Sequence, residues 1–328
     1  MMCKLLGIDI GGTKCAVILG EIMPEGRIDI KDKIRFATAE EGGPDAVIER
    51  FCRCIEELVA RNRVEMEQVR AIGISCGGPL DSKRGVILSP PNLPGWDNIA
   101  IVDRLKRRFG VAVGMQNDAN ACAIAEWQFG AGRGCRNMIF LTFGTGMGAG
   151  LILDGRLYAG TNDNAGEIGH VRMDAFGPVG YGKSGSFEGF CSGSGLAQLG
   201  QIRAREHFQM GQKVAFWDGT EPLENVTAAR IAECARAGDS LSKEIFHTCG
   251  KYLGRGLAIL TDLLNPERIV LGSVYMRTEE LLVESMNEAL RREALPGALE
   301  VCRVFPAELS ESIGDIAALS VAYINVQS

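Results

Sequence analysis

Two short stretches of this chain share one plan: Gly7-Ile-Asp9-Ile-Gly11-Gly12-Thr13-Lys14 leading into Cys-Ala-Val-Ile-Leu, and Phe140-Leu-Thr142-Phe-Gly144-Thr145-Gly146-Met-Gly148 leading into Ala-Gly-Leu-Ile-Leu. In each, an apolar strand runs into a Gly/Thr turn and out along a second strand. Glycines let backbone N–H groups approach a ligand and threonine adds a hydroxyl, so the pair suits a polyphosphate held by two similar halves of the chain. Asp9, at a strand end beside the first turn, could hold a hydrated Mg²⁺ that neutralises phosphates. Lys14 reads equally as a phosphate contact or an exposed strand residue. Transfer of a phosphoryl group to an alcohol also needs a base, and Asp118 in Asn117-Asp118-Ala119-Asn120 sits at a strand-to-helix junction where one would serve. An aspartate there is also a common helix N-cap; the paired glycine turns tip the reading toward chemistry. Glu167 and His170 in Gly166-Glu167-Ile168-Gly169-His170, and Glu188 in Gly185-Ser-Phe-Glu188-Gly189, are polar groups flanked by glycines, suited to hydrogen-bonding a polyol.

The run Gly144-Thr-Gly146-Met-Gly148-Ala also fits the dinucleotide fingerprint G-x-G-x-x-A. That fingerprint must open a helix, whereas Leu151-Ile-Leu153-Asp154-Gly155 reads as a strand and a turn, so a Rossmann site is rejected.

These groups must be positioned by a chain of 328 residues, long enough for two domains. A net charge of −6 and a pI near 5.4 argue against a general nucleic-acid or membrane-surface binder. The one dense basic run, Arg104-Leu-Lys106-Arg107-Arg108, reads as a solvated helix end. No apolar run is long enough for a membrane helix, and the N-terminus enters a strand without a leader region. Eleven cysteines, an odd number without C-x-x-C pairs, fit buried thiols in a reducing cytoplasm.

Periodicity places strands at 4–10, 14–20 and 27–36, a helix at 44–61, strands at 69–76 and 111–116, and an alanine-rich helix after Asn117. The order then repeats: strands at 136–143 and 147–153, helices at 194–209, 226–237 and 239–264, and a strand at 269–271 ending at Gly272. A Gly/Pro-rich loop spans Gly77-Gly78-Pro79 to Gly95-Trp96, and the apolar helical tail 312–326 is expected to pack on the first lobe.

The quoted stretches, together with Pro91-Asn92-Leu-Pro-Gly-Trp96, resemble in this order the ROK family (repressors, open reading frames, kinases) of actin-like and hexokinase-like ATPases. The resemblance spans nearly the whole chain. It implies an α/β fold of two RNase-H-like lobes with mixed sheets flanked by helices and a cleft between them: 1–117 with 312–328, and 118–311. It implies an ATP- and Mg²⁺-dependent kinase that phosphorylates a hexose, glucose or an N-acetylhexosamine among the candidates, at the 6-hydroxyl with Asp118 as base. Gly78, Asn92, Asn117, Asp118, Glu167, His170 and Glu188 would bind sugar. Asp9, Gly11, Gly12, Thr13, Lys14, Gly144, Thr145, Gly146 and Gly272 would bind nucleotide, Asp9 reaching Mg²⁺ through water. A cytoplasmic homodimer is expected, with no nucleic-acid or membrane partner. The family's repressors carry an N-terminal helix-turn-helix; this chain begins directly with the first glycine turn, which favours a kinase. The rival reading is a non-catalytic sugar sensor, and an ATPase scaffold is a weaker third.

One departure is sharp. Most members follow the histidine matching His170 with C-G-C-G-x-x-G-C-x-E, three thiolates that join it on a structural zinc. Here Val179, Tyr181 and Ser186 stand at the cysteine positions of Val179-Gly-Tyr181-Gly-Lys183-Ser-Gly-Ser186-Phe187-Glu188. No zinc site is expected. Tyr181, Val179 and Phe187 are expected to fill its volume by packing, keeping Glu188 and His170 aimed at the sugar.

Overall fold

The computed structural model describes residues 3–24 and 26–327. They form two compact units, the first reaching Gly134 and including Gly150–Ala165 and the chain from Glu308 onward, the second comprising Cys135–Ala149 and Gly166–Ala307.

In the first unit, β1 (Cys3–Ile10), β2 (Lys14–Ile22) and β3 (Ile28–Ala37) form an antiparallel meander. The chain continues through α1 (Pro44–Arg61), β4 (Val69–Cys76), α2 (Ile101–Phe109), β5 (Ala112–Asn117) and α3 (Asp118–Phe129). Strand β4 pairs parallel to β1 and β5 parallel to β4, giving the order β3-β2-β1-β4-β5. Near-continuous apolar runs such as Leu5–Ile8 and Ala71–Ile74 are buried because helices cover both faces. Phe51, Ile55 and Leu58 of α1 belong to the core on one face; Ala317, Ala318 and Leu319 of α10 (Ile313–Gln327) belong to that on the other. A Cβ on Gly73 would lie 2.1 Å from the Ala318 carbonyl oxygen and 2.2 Å from the Ala322 nitrogen, so β4 and α10 meet backbone to backbone. The tail does pack on the first sheet.

The second half repeats the plan with β6 (Met138–Phe143), β7 (Met147–Leu153), β8 (Arg156–Leu157), β11 (Arg268–Leu271) and β12 (Arg303–Pro306) in the order β8-β7-β6-β11-β12. Both sheets therefore run third-second-first-fourth-fifth, the last two strands joining in parallel. Between them come a small ribbon, β9 (Val179–Gly180) with β10 (Lys183–Ser184), and helices α4 (Phe187–Phe190), α5 (Gly193–Gln209), α6 (Ala228–Arg236) and α7 (Ser240–Leu264). After β11 come α8 (Val274–Glu293) and the short α9 (Pro296–Val301). Helix α8 starts after Ser273, whose φ of 56° is a start that no serine announces in sequence.

The boundary expected after residue 117 falls instead after Gly134. Ala121, Ile124 and Ala125 of α3 are buried in one core with Ile316–Leu319 of α10, which ties α3 to the first unit. The stretch from Gly150 follows it, since a Cβ there would sit 2.5 Å from the Ala119 carbonyl oxygen. No helix among the described residues is long and apolar enough to cross a membrane.

Candidate active site

On the first unit the turn after β1 is closed by the Gly11 N–H on the Lys14 carbonyl at 3.1 Å. Thr38 pins it from outside: its hydroxyl donates to the Gly11 carbonyl at 2.7 Å and its N–H to the Thr13 carbonyl at 3.0 Å. Thr13 and Lys14 are exposed. Gly12 has a steric reason to be glycine, because a Cβ would stand 2.5 Å from the Asn92 carbonyl oxygen. The loop carrying Asn92 is held by successive turns, Leu93 N–H to Pro90, Trp96 N–H to Leu93 and Ser89 N–H to Trp96, over the buried Trp96. Asn92 and Gly78 are exposed on it.

Asn117, not Asp118, caps α3: its carboxamide oxygen accepts the Asn120 N–H at 2.7 Å. The duty that competed with a chemical role for Asp118 is thus performed by its neighbour. Asp118 accepts the Ala119 N–H at 2.8 Å. Protein packed around Asp118 raises its pKa against that hydrogen bond; the side chain is also exposed, and solvent tempers the rise.

Asp9 is half-buried at the end of β1. Burial, then the charges of Asp315 and Asp118, push its pKa up to about 7, with Arg35 and Lys33 opposing. Asp315, buried in the first turn of α10, pairs with Lys33 and has Arg35 at 3.8 Å. Neither Asp315 nor Thr38 was picked out by sequence, since nothing local marks a residue as neighbour to a turn hundreds or dozens of positions away. Asp9 and Asp118 are hard oxygen donors whose mutual repulsion a divalent cation would relieve, so these residues fit Mg²⁺.

On the second unit the turn after β6 is closed by Gly144 N–H on the Gly146 carbonyl at 3.0 Å, and Gly193 N–H reaches the Gly144 carbonyl at 2.8 Å. Glu188, in α4, accepts the Met147 N–H at 2.9 Å. A Cβ on Gly146 would come within 2.6 Å of that carboxylate, and one on Gly169 within 2.3 Å of the Met147 carbonyl oxygen. The Glu167–His170 loop, Glu188 and the Gly144–Gly146 turn thus converge. The His170 N–H closes the loop on the Glu167 carbonyl at 3.2 Å, and Glu167 itself is exposed.

Beside this turn lies a pocket of about 640 Å³ whose wall includes Gly144, Thr145, Gln198, Ser273 and Arg277. It also includes the starts of α5 (Gly193, Ser194), α6 (Thr227, Ala228) and α8 (Ser273, Val274). Three helix N-termini with their positive dipole ends, plus Arg277, set against the single carboxylate of Glu224 in the same wall, suit the pocket to an anion of several charges. Gly272 does not line it; its N–H binds the Leu141 carbonyl at 3.0 Å and a Cβ would press on Phe140, which sets Ser273 in the wall.

The family model described as ROK family matches residues 5–323. The chain belongs to the ROK family. It is 30% identical to a glucokinase of Thermotoga maritima over 97% of this chain and 96% of that one. It is also 30% identical to the DNA-binding transcriptional repressor Mlc of Escherichia coli K12, over 76% of this chain and 60% of Mlc. Among solved structures, a ROK family glucokinase from Streptomyces griseus in complex with glucose and AMPPNP aligns with a TM-score of 0.74 at 29% identity, over 98% of this chain and 99% of that one. The fold is accordingly the actin-like ATPase fold of the ROK family.

The loop after His170 carries Val179, Tyr181 and Ser186 in place of the expected thiols. Ser186 is buried and caps α4, its hydroxyl accepting the Gly189 N–H at 3.1 Å. Phe187 is fully buried, with the face of its ring against Gly256, where a Cβ would stand 2.1 Å away. Val179 and Tyr181, however, are exposed, Tyr181 by 72%. The expectation that all three fill an interior volume is therefore corrected: only Phe187 is interior, because the turn Tyr181-Gly182 has φ of 45° and 75° and projects its tip outward. A phenol, an engaged hydroxyl and one imidazole do not fit a tetrahedral zinc centre.

Proposed function

We propose that this ROK-family chain transfers the γ-phosphoryl group of ATP to the 6-hydroxyl of a hexose, with Asp118 as the base. The chain is a sugar kinase; the acceptor sugar, its hydroxyl and the base are the proposal. The observation that carries the nucleotide half is the pocket where the starts of α5, α6 and α8 meet the Gly144–Thr145 turn, polarised for phosphate. Thr145 and Gly146 would contact phosphate there, with Gly144 letting the backbone approach. On the first unit Gly11, Gly12, Thr13 and Lys14 form a glycine turn of the same plan that would suit phosphate, and Asp9 would hold Mg²⁺. That ion would neutralise charge on the phosphates.

Asp118 takes the proton from the attacking hydroxyl. A carboxylate with a raised pKa is a better match to that task near neutral pH than an ordinary one. Asn92, Asn117, Glu167, His170 and Glu188 orient the sugar, Gly78 letting the backbone approach. Glu188 also buttresses the glycine turn through Met147, so it links sugar and phosphate contacts. The similarity to Mlc favours a second reading, a sugar-binding regulator without phosphotransfer.

The test is ADP release from Mg-ATP across hexoses and N-acetylhexosamines, beside Asp118→Asn. Turnover on one sugar, reduced about 10²- to 10⁴-fold in the variant, supports kinase and base together. Calorimetric sugar binding without turnover on any of them selects the regulator.

A further inference from the structure

The ribbon that stands where the family's zinc loop would be is tied at both ends to functional parts of the second unit. Two residues per strand cannot hold a ribbon together by themselves; backbone bonds from the Phe187 N–H to the Val171 carbonyl and from the Met173 N–H to the Gly185 carbonyl, both at 2.8 Å, tie its base to the segment after His170, and side-chain anchors hold the rest. One anchor is Gln198 of α5. Its carboxamide spends both its groups on one residue, Oε1 accepting the Val179 N–H at 2.9 Å and Nε2 donating to the Val179 carbonyl at 2.8 Å. Gln198 also lines the anion pocket. The other anchor is Lys183, whose ammonium donates to the His170 carbonyl at 2.7 Å. Between the two, at the ribbon's tip, the Tyr181 ring meets the His170 imidazole edge-on, centroids 5.0 Å apart at 86°. Arg172 adds a hydrogen bond to the Ser184 carbonyl at 2.8 Å, closing the ribbon against the segment that follows His170.

We propose that this ribbon, anchored by Gln198 on the pocket wall and by Lys183 on the His170 carbonyl, is a metal-free brace that positions His170 for sugar binding. The proposal rests on the sugar-kinase reading for the role of His170. Gln198 and Lys183 are positioning residues: they act through the ribbon and need not touch the sugar.

The experiment measures D-glucose affinity by calorimetry, with and without AMPPNP, in the wild type, Gln198→Ala, Lys183→Met and Lys183→Arg, each also in a His170→Ala background. In parallel, NMR follows the imidazole signals of the chain's three histidines. Gln198→Ala and Lys183→Met should each weaken glucose binding about tenfold and Lys183→Arg restore most of it. The Gln198→Ala/Lys183→Met double variant should be no worse than the weaker single, since both act through one ribbon. In the His170→Ala background neither should matter further. The His170 signals should shift or broaden while those of His207 and His247 stay. Additive losses, losses that persist without His170, or an effect on AMPPNP affinity alone would overturn the brace. If wild-type protein neither binds nor phosphorylates glucose, the sugar reading has failed for that sugar, while the His170 signals still decide whether the brace exists.

Discussion

Asp9 offers a sharp quantitative test, because its environment costs the fold free energy that a neutral isostere would return. Its carboxyl is lifted from an ordinary 3.8 to about 7, first by burial and then by Asp315 and Asp118. The unfolded chain releases this proton near 3.8, whereas the folded one keeps it until about 7. Between those values the folded state binds more protons, so stability falls as pH rises through the window, and the full cost applies above it. At about 1.4 kcal/mol per pH unit, the part between pH 5 and pH 7 is roughly 3 kcal/mol. Asp9→Asn keeps the shape and cannot ionise, so its stability advantage over the wild type should grow by about that amount from pH 5 to pH 8. Urea unfolding in EDTA measures this, with Trp96 and Trp127 of the first unit as fluorescent reporters. An advantage that changes by less than about 1 kcal/mol, or that shrinks with rising pH, would refute both the burial and the like-charge account of Asp9.

Three other outcomes are expected. Protein purified without added metal should contain far less than one zinc per chain, and EDTA should not lower its Tm, since the loop's anchors are hydrogen bonds and aromatic contacts; near-stoichiometric zinc would contradict this. Gly73→Ala should destabilise the first unit by about 1–3 kcal/mol, because the new methyl meets α10 backbone that cannot rotate away; unchanged unfolding of the Trp96 signal would show that the approach is looser. Arg277→Ala should raise the KM for ATP by about tenfold or more with the sugar KM little changed, as expected of a guanidinium on the anion pocket; the opposite split would move the nucleotide elsewhere.

Much was legible in the sequence because its signals are local. The Gly/Thr turns between apolar strands, the Asn117-Asp118 junction and the alanine-rich start of α3 each declare their structure within a dozen residues. The second occurrence of strand, turn and strand declares the duplicated sheet. The departure at Val179, Tyr181 and Ser186 is likewise a statement about side-chain chemistry that needs no coordinates. Other features are set by contacts between segments remote in the chain. Asp315 bears on Asp9 only because α10 packs across β1 and β4. The Thr38 clamp on the Gly11 turn requires the β2–β3 register, and α3 joins the first unit because its alanine face fits α10. That Asn117 takes the cap and leaves Asp118 without it, that Tyr181 points outward while Phe187 is buried, and that α5, α6 and α8 all begin at one pocket are outcomes of backbone direction and packing. The amino-acid types alone determined which chemistry was available; tertiary structure decided which of those groups meet, because charge coupling and close approach depend on distance through space rather than separation along the chain.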